Sequence, residues 1–176
     1  VPQLRPRVVI IGIRKDQYGA FAYPEDRPDS AKTVGETLYD LMAENKWEGA
    51  KRWAVQADRI APTLVGGSKK HGGPDLGPTR ARNAWAELGI DGRGIADTAP
   101  VPGFDGMPRL TSRMMARIQG FPDTWTFGSR KTVACRMIGN AFPPPVAKAV
   151  GEQIKECLAH GCADSQSKIS LSRAVV

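Results

Sequence analysis

The chain has 176 residues, of which 41% are hydrophobic and 24% are charged, and this composition is ordinary for a folded protein. No apolar run approaches the length of a membrane span, so we expect no membrane partner. The net charge of +7 favours a polyanionic partner, because lysine and arginine release counterions when they bind phosphates, although a generally basic surface gives the same value. The three cysteines form no disulfide framework and favour a reducing, cytoplasmic setting.

The first predicted element is a strand. The mostly β-branched run from Val8 to Ile13 predicts a buried strand, and Pro6 is compatible with its beginning but not with its middle. A loop rich in turn-forming residues follows over 17–30. Because the chain begins at Val1 and not at methionine, we expect that the natural protein has a part upstream of it.

A helix is predicted next. Thr33 and Glu36 have the spacing of a capping box, which predicts a helix beginning after Thr33 and ending near Asn45. Four apolar residues fall on one face of this helix: Val34, Leu38, Leu41 and Met42. That face is expected to pack on the core.

The segment 51–106 is punctuated by glycine and proline, which predicts long loops of functional importance. Between residues 59 and 82, Asp75 is the only acidic residue, whereas there are five basic ones: Arg59, Lys69, Lys70, Arg80 and Arg82. A short helix is predicted from Thr79, as its cap, to Leu88, with Gly89 as its stop.

Two further helices are predicted. One begins at Thr111, ends at Gly120-Phe121-Pro122, and has an apolar stripe formed by Met114, Met115, Ile118 and Phe121. The last begins at the proline run 143–145 and ends at Gly161, with one face packing on a core through Val146, Val150, Ile154 and Leu158. The small, polar tail over 163–176 is expected to be disordered.

Three blocks of residues resemble, in order, those of the DNA cytosine-5 methyltransferase family. The first is the Gln-x-Arg-x-Arg block formed by Gln3, Arg5 and Arg7. The second, 109–122, reads Arg-Leu-Thr-Ser-Arg-Met-Met-Ala-Arg-Ile-Gln-Gly-Phe-Pro, and the third, 138–147, reads Ile-Gly-Asn-Ala-Phe-Pro-Pro-Pro-Val-Ala. The first block alone is a weak signal, but the three together, with a long variable segment after the first, are specific.

The chain departs from the family pattern at two positions. The family usually has glutamate where Met114 stands, and the loss of that capping-box side chain is expected to cost about 0.5–1 kcal/mol of helix stability. The family often has glutamine where Met137 stands, so a hydrogen bond made there is lost.

The resemblance implies an α/β fold: the C-terminal edge of a Rossmann-like S-adenosylmethionine-dependent methyltransferase domain, with a small, loop-rich mixed α/β target-recognition domain. The implied catalytic portion comprises 1–47 and 131–162, and the implied target-recognition domain comprises 48–130. Members of the family flip a cytosine out of duplex DNA, add a cysteine thiolate to its ring with the help of a glutamate, and take the methyl group from S-adenosylmethionine.

The catalytic cysteine and glutamate of the family belong to blocks upstream of all three blocks found in this chain. Cys135 lies where the family has no nucleophile, so we interpret it as a packed apolar thiol. The pair Glu44-Asn45 follows the first block instead of preceding it and is interpreted as a helix end. No Gly-x-Gly cofactor loop follows a strand either. We therefore expect no methyl transfer by this piece alone.

The resemblance assigns Gln3, Arg5 and Arg7 to the pocket of the flipped cytosine. Arginine suits this task because its charged fork can bind phosphate or the cytosine carbonyl with fixed geometry. We predict that Arg7 reaches into the pocket and that Arg5 lies nearer the phosphates. The alternative is that these arginines are solvated charges at the end of a strand.

The variable segment, about residues 48–108, resembles the region that reads bases in the family. Pro62-Thr63-Leu64 is similar to a Thr-Leu pair frequent there, and we take six residues as candidates for DNA contact: Thr63, Lys69, Lys70, His71, Arg80 and Arg82. For each basic residue, an ordinary surface charge is the alternative.

The last block resembles the turn that closes one side of the S-adenosylmethionine site, which assigns Asn140 and Ala141 to cofactor binding. Three potential zinc ligands, Cys157, His160 and Cys162, lie close together. No fourth ligand is evident and the spacing fits no pair of zinc knuckles, so we expect the end of a helix and no metal site.

Four functions follow from the sequence. The first is the C-terminal part of a bacterial DNA cytosine-5 methyltransferase of a restriction-modification system, acting on double-stranded DNA near the nucleoid and completed by an N-terminal catalytic part in the same chain. In the second, that part is a separate subunit of a split enzyme. The others are a stand-alone, non-catalytic DNA-binding module and an RNA methyltransferase related to the family.

Overall fold

The computed structural model describes residues 1–15, 21–25, 32–66, 74–128 and 130–159. This part of the chain contains six α-helices: α1 (Val34–Met42), α2 (Ala50–Gln56), α3 (Thr79–Glu87), α4 (Ser112–Gln119), α5 (Lys131–Asn140) and α6 (Pro144–Ala159). None of these helices has the length and apolar character needed to cross a membrane. Within the same ranges, β-pairing is confined to two isolated parallel bridges, Gln3 with Ala61 and Ala96 with Thr111.

Helix α1 begins and ends close to the predicted positions. The Thr33 hydroxyl accepts a hydrogen bond from the Glu36 amide, and the Glu36 carboxylate accepts one from the Thr33 amide, so the capping box is complete. The helix ends at Met42, slightly before the predicted end near Asn45. All four residues of the predicted apolar face are buried: Val34, Leu38, Leu41 and Met42. The prediction of this helix is confirmed.

Helix α2 lies in the segment where only loops were predicted. Ala50, Trp53 and Ala57 are buried at helical spacing, and the helix packs so closely on α1 that a Cβ on Gly35 would lie 2.1 Å from the Ala54 carbonyl oxygen. The Gly35 amide also donates to the Ala57 carbonyl, at 2.8 Å. The apolar spacing was a usable signal, but the surrounding glycines and prolines obscured it.

Helix α3 occupies the predicted span, but its predicted cap is wrong. Pro78 is the N-cap and makes no side-chain capping bond, whereas Thr79 is already helical. The Thr79 hydroxyl instead accepts a hydrogen bond from Nη2 of Arg82, at 3.2 Å. Pro78 can take this place because its extended backbone precedes the first turn, in which the amide donors are unpaired in any helix. Gly89 follows the helix end with φ of +69°, as its predicted role as a stop requires.

Helix α4 begins after Thr111 and ends before Gly120, as predicted. The Thr111 hydroxyl accepts a hydrogen bond from the Met114 amide, and the Met114 sulfur lies 3.4 Å from the Thr111 amide, where a glutamate carboxylate would accept. Sulfur is a weak acceptor, so the capping box keeps its geometry with a weaker second bond. Met114 is also buried, so its side chain packs in the hydrophobic core in addition to its weak capping contact.

Helix α5 was not predicted, and α6 packs less closely than predicted. Helix α6 begins in the proline run, as expected, but Val146, Val150 and Ile154 are only half-buried and Leu158 is exposed. Among the described residues, Cys157 is the buried residue of α6 and the stripe is covered only in part, so its packing on a core stays a prediction. A regular apolar spacing shows that a face can be covered, but not which residues cover it.

The predicted strand from Val8 to Ile13 is also wrong. Val8 is 88% exposed and Ile10 is 91% exposed, and the run pairs with no strand among the described residues. A β-branched run becomes a strand only where neighbouring strands offer hydrogen-bond partners, and the described residues offer none to this run. The Rossmann-like edge therefore stays a prediction.

The core lies between α1, α2 and α4 and extends beneath the loops over 57–66 and 88–110. Its largest fully buried side chains include Trp85, Leu64, Leu110 and Met115. Residues from both sides of the predicted domain boundary at position 47 contribute to this one cluster. Because the loops share this core with the helices, the loop backbones are held in defined positions.

Candidate nucleic-acid interface

The first block is held in the protein by the buried side chain of Gln3. Its Oε1 accepts a hydrogen bond from the Leu64 amide at 3.1 Å, and its Nε2 donates to Oε1 of Gln119. Gln119 is itself fully buried and donates through Nε2 to the Ala141 carbonyl. Two glutamine amides thus connect the first block, Leu64 of the variable segment and both later blocks.

Arg5 makes a second buried connection. It is 8% exposed, and it donates from Nη1 to the Leu64 carbonyl at 2.6 Å and from Nη2 to the Gly139 carbonyl at 2.5 Å. Burial, and secondly the charge of Arg7, lowers the pKa of Arg5. The predicted contact of Arg5 with phosphates stays a prediction, and the described geometry commits both terminal nitrogens to backbone carbonyls.

Arg7 differs from Arg5 in its surroundings. It is exposed, and its one hydrogen bond among the described residues runs from Nη1 to the carbonyl of the adjacent Pro6, at 2.9 Å. The remaining guanidinium donors face solvent. Of the three residues assigned to the pocket, Arg7 is therefore the one that can bind a nucleotide without leaving a buried carbonyl unpaired.

Thr63 lies beside the first block. Its hydroxyl donates to the Leu4 carbonyl at 2.5 Å, and the Leu4 amide donates to the Ala61 carbonyl at 2.8 Å. The Thr63 side chain thus fixes the backbone of the first block against the variable segment. Its predicted contact with a base remains a prediction, since the hydroxyl can still accept a hydrogen bond.

The structure gives positions for two of the five basic candidates. Arg80 is exposed on α3, and Arg82, two residues further along the same helix, is half-buried and bonded to Thr79. Lys69, Lys70 and His71 lie outside the described residues. The last described residue before them, Gly66, lies against α5, because a Cβ there would be 3.0 Å from Cα of Arg136. The first described residue after them, Pro74, precedes α3 in the chain.

The last block touches the variable segment through glycine. A Cβ on Gly139 would lie 2.3 Å from the Gly66 amide nitrogen, so only glycine allows this approach of two backbones. The amide and carbonyl of Ala141 are already hydrogen-bonded within the protein, whereas the Asn140 side chain is exposed. Asn140 has both donor and acceptor atoms, and it fits one polar contact at the edge of a small-molecule site.

The two other candidate nucleophilic or acidic groups have structural surroundings. Cys135 is fully buried, its sulfur is 3.8 Å from the Ser112 hydroxyl, and burial raises the pKa of its thiol, which opposes formation of a thiolate. Glu44 is paired with Arg113 at 3.1 Å. Within the described ranges no group of side chains could hold a metal ion, and His160 and Cys162 lie outside them.

Sequence reasoning missed the connecting role of Gln119. Its signal was a glutamine at the end of an otherwise apolar helical stripe, where a polar side chain is expected to be buried only if it is fully hydrogen-bonded. Arg93 and Arg109, which flank the largely buried carboxylate of Asp91, were missed as well.

A family model described as C-5 cytosine-specific DNA methylase matches residues 1–156. The chain is 58% identical over 161 residues to the Type II methyltransferase M.NaeI of Lentzea aerocolonigenes. The aligned region covers 90% of this chain and 39% of that protein. It is 48% identical over 161 residues to the Type II methyltransferase M.NgoMIV of Neisseria gonorrhoeae, with 90% and 51% covered. The chain thus spans about half or less of the length of these relatives.

A shorter match has a eukaryotic source. DNA (cytosine-5)-methyltransferase 1 of Mus musculus is 47% identical over 58 residues, which are 33% of this chain and 4% of that protein. The family model, in contrast, spans all three blocks on which the resemblance was based. The resemblance is confirmed, and the chain belongs to the C-5 cytosine-specific DNA methylase family.

Proposed function

We propose that this chain is the C-terminal part of a DNA cytosine-5 methyltransferase, which transfers a methyl group from S-adenosylmethionine to C5 of a cytosine flipped out of a specific duplex sequence. The chain supplies DNA recognition and one wall of the base pocket. The cysteine nucleophile and its glutamate partner come from an N-terminal catalytic part, in the same polypeptide or in a second subunit. The names of the relatives, Type II methyltransferases, support a role beside a restriction enzyme in the bacterial cytoplasm.

The observation on which this proposal depends is the convergence of the three blocks. Gln3 contacts Gln119, more than a hundred residues away, and Arg5 contacts Gly139. Both also bind Leu64, within the variable segment. An enzyme that flips a base needs its recognition loops fixed relative to its pocket, because a small displacement of the reacting groups is costly to the rate.

In this proposal Arg7 is the residue of the first block that contacts the flipped nucleotide. Its exposed guanidinium can bind the cytosine carbonyl or the adjacent phosphate, and either contact orients the cytosine ring for addition of the cysteine thiolate. Gln3 and Arg5 keep the backbone that bears Arg7 in place. They act as positioning residues whose polar atoms are used within the protein.

The variable segment is proposed to read the duplex. We assign Thr63, Lys69, Lys70, His71, Arg80 and Arg82 to DNA contact, with 48–130 as the target-recognition domain and with 1–47 and 131–162 as part of the catalytic domain, along the edge of its Rossmann-like sheet. The exposed Arg80 on α3 supports this assignment, because no described residue bonds its guanidinium, which can therefore bind phosphate or guanine without first breaking such a bond.

Membership of the family implies S-adenosylmethionine as the methyl donor. When bound, this cofactor supplies an electrophilic methyl group to the ring carbon that the thiolate has activated. From this chain we assign to it the Asn140 side chain, together with the backbone turn at Ala141. The exposed Asn140 amide supports a contact at the edge of the site, and the principal contacts are proposed to come from the N-terminal part.

The proposal is tested by replacing Arg7 with alanine in the complete polypeptide encoded by the gene. We expect methyl transfer to duplex DNA to fall about 10- to 100-fold, which is the effect of losing a hydrogen bond to a charged group. Duplex binding should change little, because the flipped nucleotide is one contact among many. Transfer of labelled methyl groups and DNA binding are measured on the same preparations.

Lys51→Ala is the matched control, because Lys51 is an exposed cation on α2. It should leave both methyl transfer and binding unchanged. Equal losses of transfer and binding in Arg7→Ala contradict a pocket role for Arg7. Duplex binding without methyl transfer in the wild-type polypeptide, even with an N-terminal partner added, favours a non-catalytic DNA-binding module. Transfer to RNA but not to duplex DNA favours the RNA enzyme.

A further inference from the structure

Two basic side chains, those of Arg93 and Arg109, flank the turn over 91–94, away from the contacts that Gln3 and Arg5 make. The Asp91 amide donates to the Pro108 carbonyl at 2.9 Å, and the Gly92 carbonyl accepts from the Leu76 amide at 3.0 Å. These bonds fix the turn between Leu76, shortly before α3, and Pro108, shortly before α4. Its position is defined by backbone hydrogen bonds on both sides.

Asp91 binds two arginines at once. Its Oδ1 accepts from the amide of Arg93 at 3.1 Å and from Nε of Arg93 at 3.0 Å, and its Oδ2 accepts from Nε of Arg109 at 3.0 Å. The Asp91 side chain is only 13% exposed, whereas those of Arg93 and Arg109 are 71% and 49% exposed. The carboxylate therefore lies beneath two largely solvated guanidinium groups.

Both arginines use Nε to bind Asp91, which leaves their terminal nitrogens for other partners. Among the described residues, neither Arg93 nor Arg109 donates a hydrogen bond from Nη1 or Nη2. A guanidinium that is fixed at Nε and open at its outer edge has already lost much of its rotational freedom. A ligand that binds there avoids part of the usual entropic cost of ordering a long side chain.

Two glycines give the arginines room. A Cβ on Gly94 would lie 3.2 Å from Nη1 of Arg109, and a Cβ on Gly92 would lie 3.1 Å from Cγ of Arg82. Two arginines therefore share a single carboxylate, and their summed charge exceeds its charge. Such an excess, with planar donors facing solvent, suits an anion with several equivalent oxygens, and a phosphodiester is such an anion.

We propose that Arg93 and Arg109, anchored on Asp91, form a clamp that binds a backbone phosphate of the duplex next to the recognition segment. This inference rests on the proposed function and adds to it a contact that positions the DNA without reading its sequence. The competing explanation is structural: the arginines do no more than neutralise Asp91 and join the turn to residues 108–110.

The test measures how the affinity for duplex DNA depends on salt, in the complete polypeptide encoded by the gene. The probe is a fluorescently labelled duplex, titrated between about 50 and 200 mM salt. In the double variant Arg93→Gln/Arg109→Gln, the slope of log affinity against log salt should become shallower by at least about 1, the value for one lost phosphate contact. The ratio of specific to non-specific affinity should stay the same.

The control is Lys51→Gln/Arg52→Gln, which removes two exposed charges at the N-terminal end of α2. Its slope should equal that of the wild type. An equal change of slope in the control overturns the clamp, because bulk charge would then explain the effect. If the double variant does not fold, Arg93→Gln alone decides, since its side chain is the more exposed of the two.

A wild-type slope in a folded variant overturns the clamp and leaves the proposed function intact. A wild-type polypeptide that binds no duplex DNA at any salt concentration overturns both. A duplex with uncharged methylphosphonate linkages provides a second readout. On this duplex, wild type and variant should have the same slope if the arginines act on phosphate, and a difference that persists contradicts that ligand.

Discussion

Arg5 and Arg7 have the same functional group and lie two positions apart, but burial separates their chemistry. Arg5 has its terminal nitrogens on the carbonyls of Leu64 and Gly139, whereas Arg7 faces solvent. A buried carbonyl that loses its donor costs about 1–3 kcal/mol of stability, so breaking the bonds of Arg5 to Leu64 and Gly139 is unfavourable. A solvated arginine can exchange water for a nucleotide, and this is why we assign the nucleotide contact to Arg7.

The buried amide of Gln119 gives a prediction at this scale. Gln119→Leu removes the bonds to Gln3 and to the Ala141 carbonyl, so that the Ala141 carbonyl loses this donor and Gln3 Nε2 keeps only a long, 3.4 Å bond to the Ile118 carbonyl. We expect the free energy of unfolding to fall by about 2 kcal/mol, measured by denaturant unfolding. Methyl transfer by the complete polypeptide should fall as well, because the three blocks lose a shared connection.

Gln153→Leu on α6 is the matched substitution, since the bond that the described residues give the Gln153 side chain runs to the exposed Glu156. Its effect on stability should remain within about 0.5 kcal/mol. Equal stability of the Gln119 and Gln153 variants contradicts a connecting role for Gln119.

At the scale of elements, α1 and α4 were predictable with their ends from capping signals, whereas α2 and α5, which lack such signals, were not predicted. Thr33, Thr111 and Gly120 set the ends of α1 and α4, because each meets a local backbone requirement that is visible in the sequence. Helices α2 and α5 have no side-chain cap. Their stability comes from burial against other elements, which no local pattern specifies.

Helix α5 gives the second prediction. Gly139→Ala places a methyl group 2.3 Å from the Gly66 amide nitrogen, so two backbones must separate. We expect the free energy of unfolding to fall by about 1–3 kcal/mol. Duplex binding should also be reduced, because the backbone of the variable segment at Gly66 is displaced. Circular dichroism and DNA titration measure the two effects.

Gly151→Ala is the control, because open space surrounds Gly151 in α6. Alanine there should stabilise the helix by about 0.5–1 kcal/mol. A Gly139→Ala protein as stable as the wild type shows that the contact between 65–66 and α5 is not required.

Over the whole molecule, ion pairs join segments that are distant in sequence. Arg117 binds both Asp40 of α1 and Asp123 beyond α4, and Asp91 joins two arginines from either side of a loop. The hydrogen bond from Arg117 lowers the pKa of Asp40 and of Asp123. Burial opposes the ionisation of Asp91, but hydrogen bonds from Arg93 and Arg109 outweigh it and lower its pKa to about 2.

These shifts give the third prediction. A carboxylate whose pKa is lower in the folded state stabilises the protein above its unfolded pKa, near 4, and that stabilisation is lost as the pH falls through the folded value. We therefore expect the melting temperature to decline from about pH 4 towards pH 2. Asp91→Asn should start from a lower stability at neutral pH and show a weaker decline; an unchanged pH profile contradicts the assigned pKa.

The sequence by itself determined the family, the order of the three blocks, and the ends of α1 and α4. These features depend on local spacing, which folding does not alter. Only the tertiary structure decided that Gln3 and Arg5 are buried connectors, that Val8 and Ile10 are exposed, and that Arg93 and Arg109 share Asp91. Burial and pairing are relations between distant residues, and the partner of a side chain is fixed only when the chain has folded.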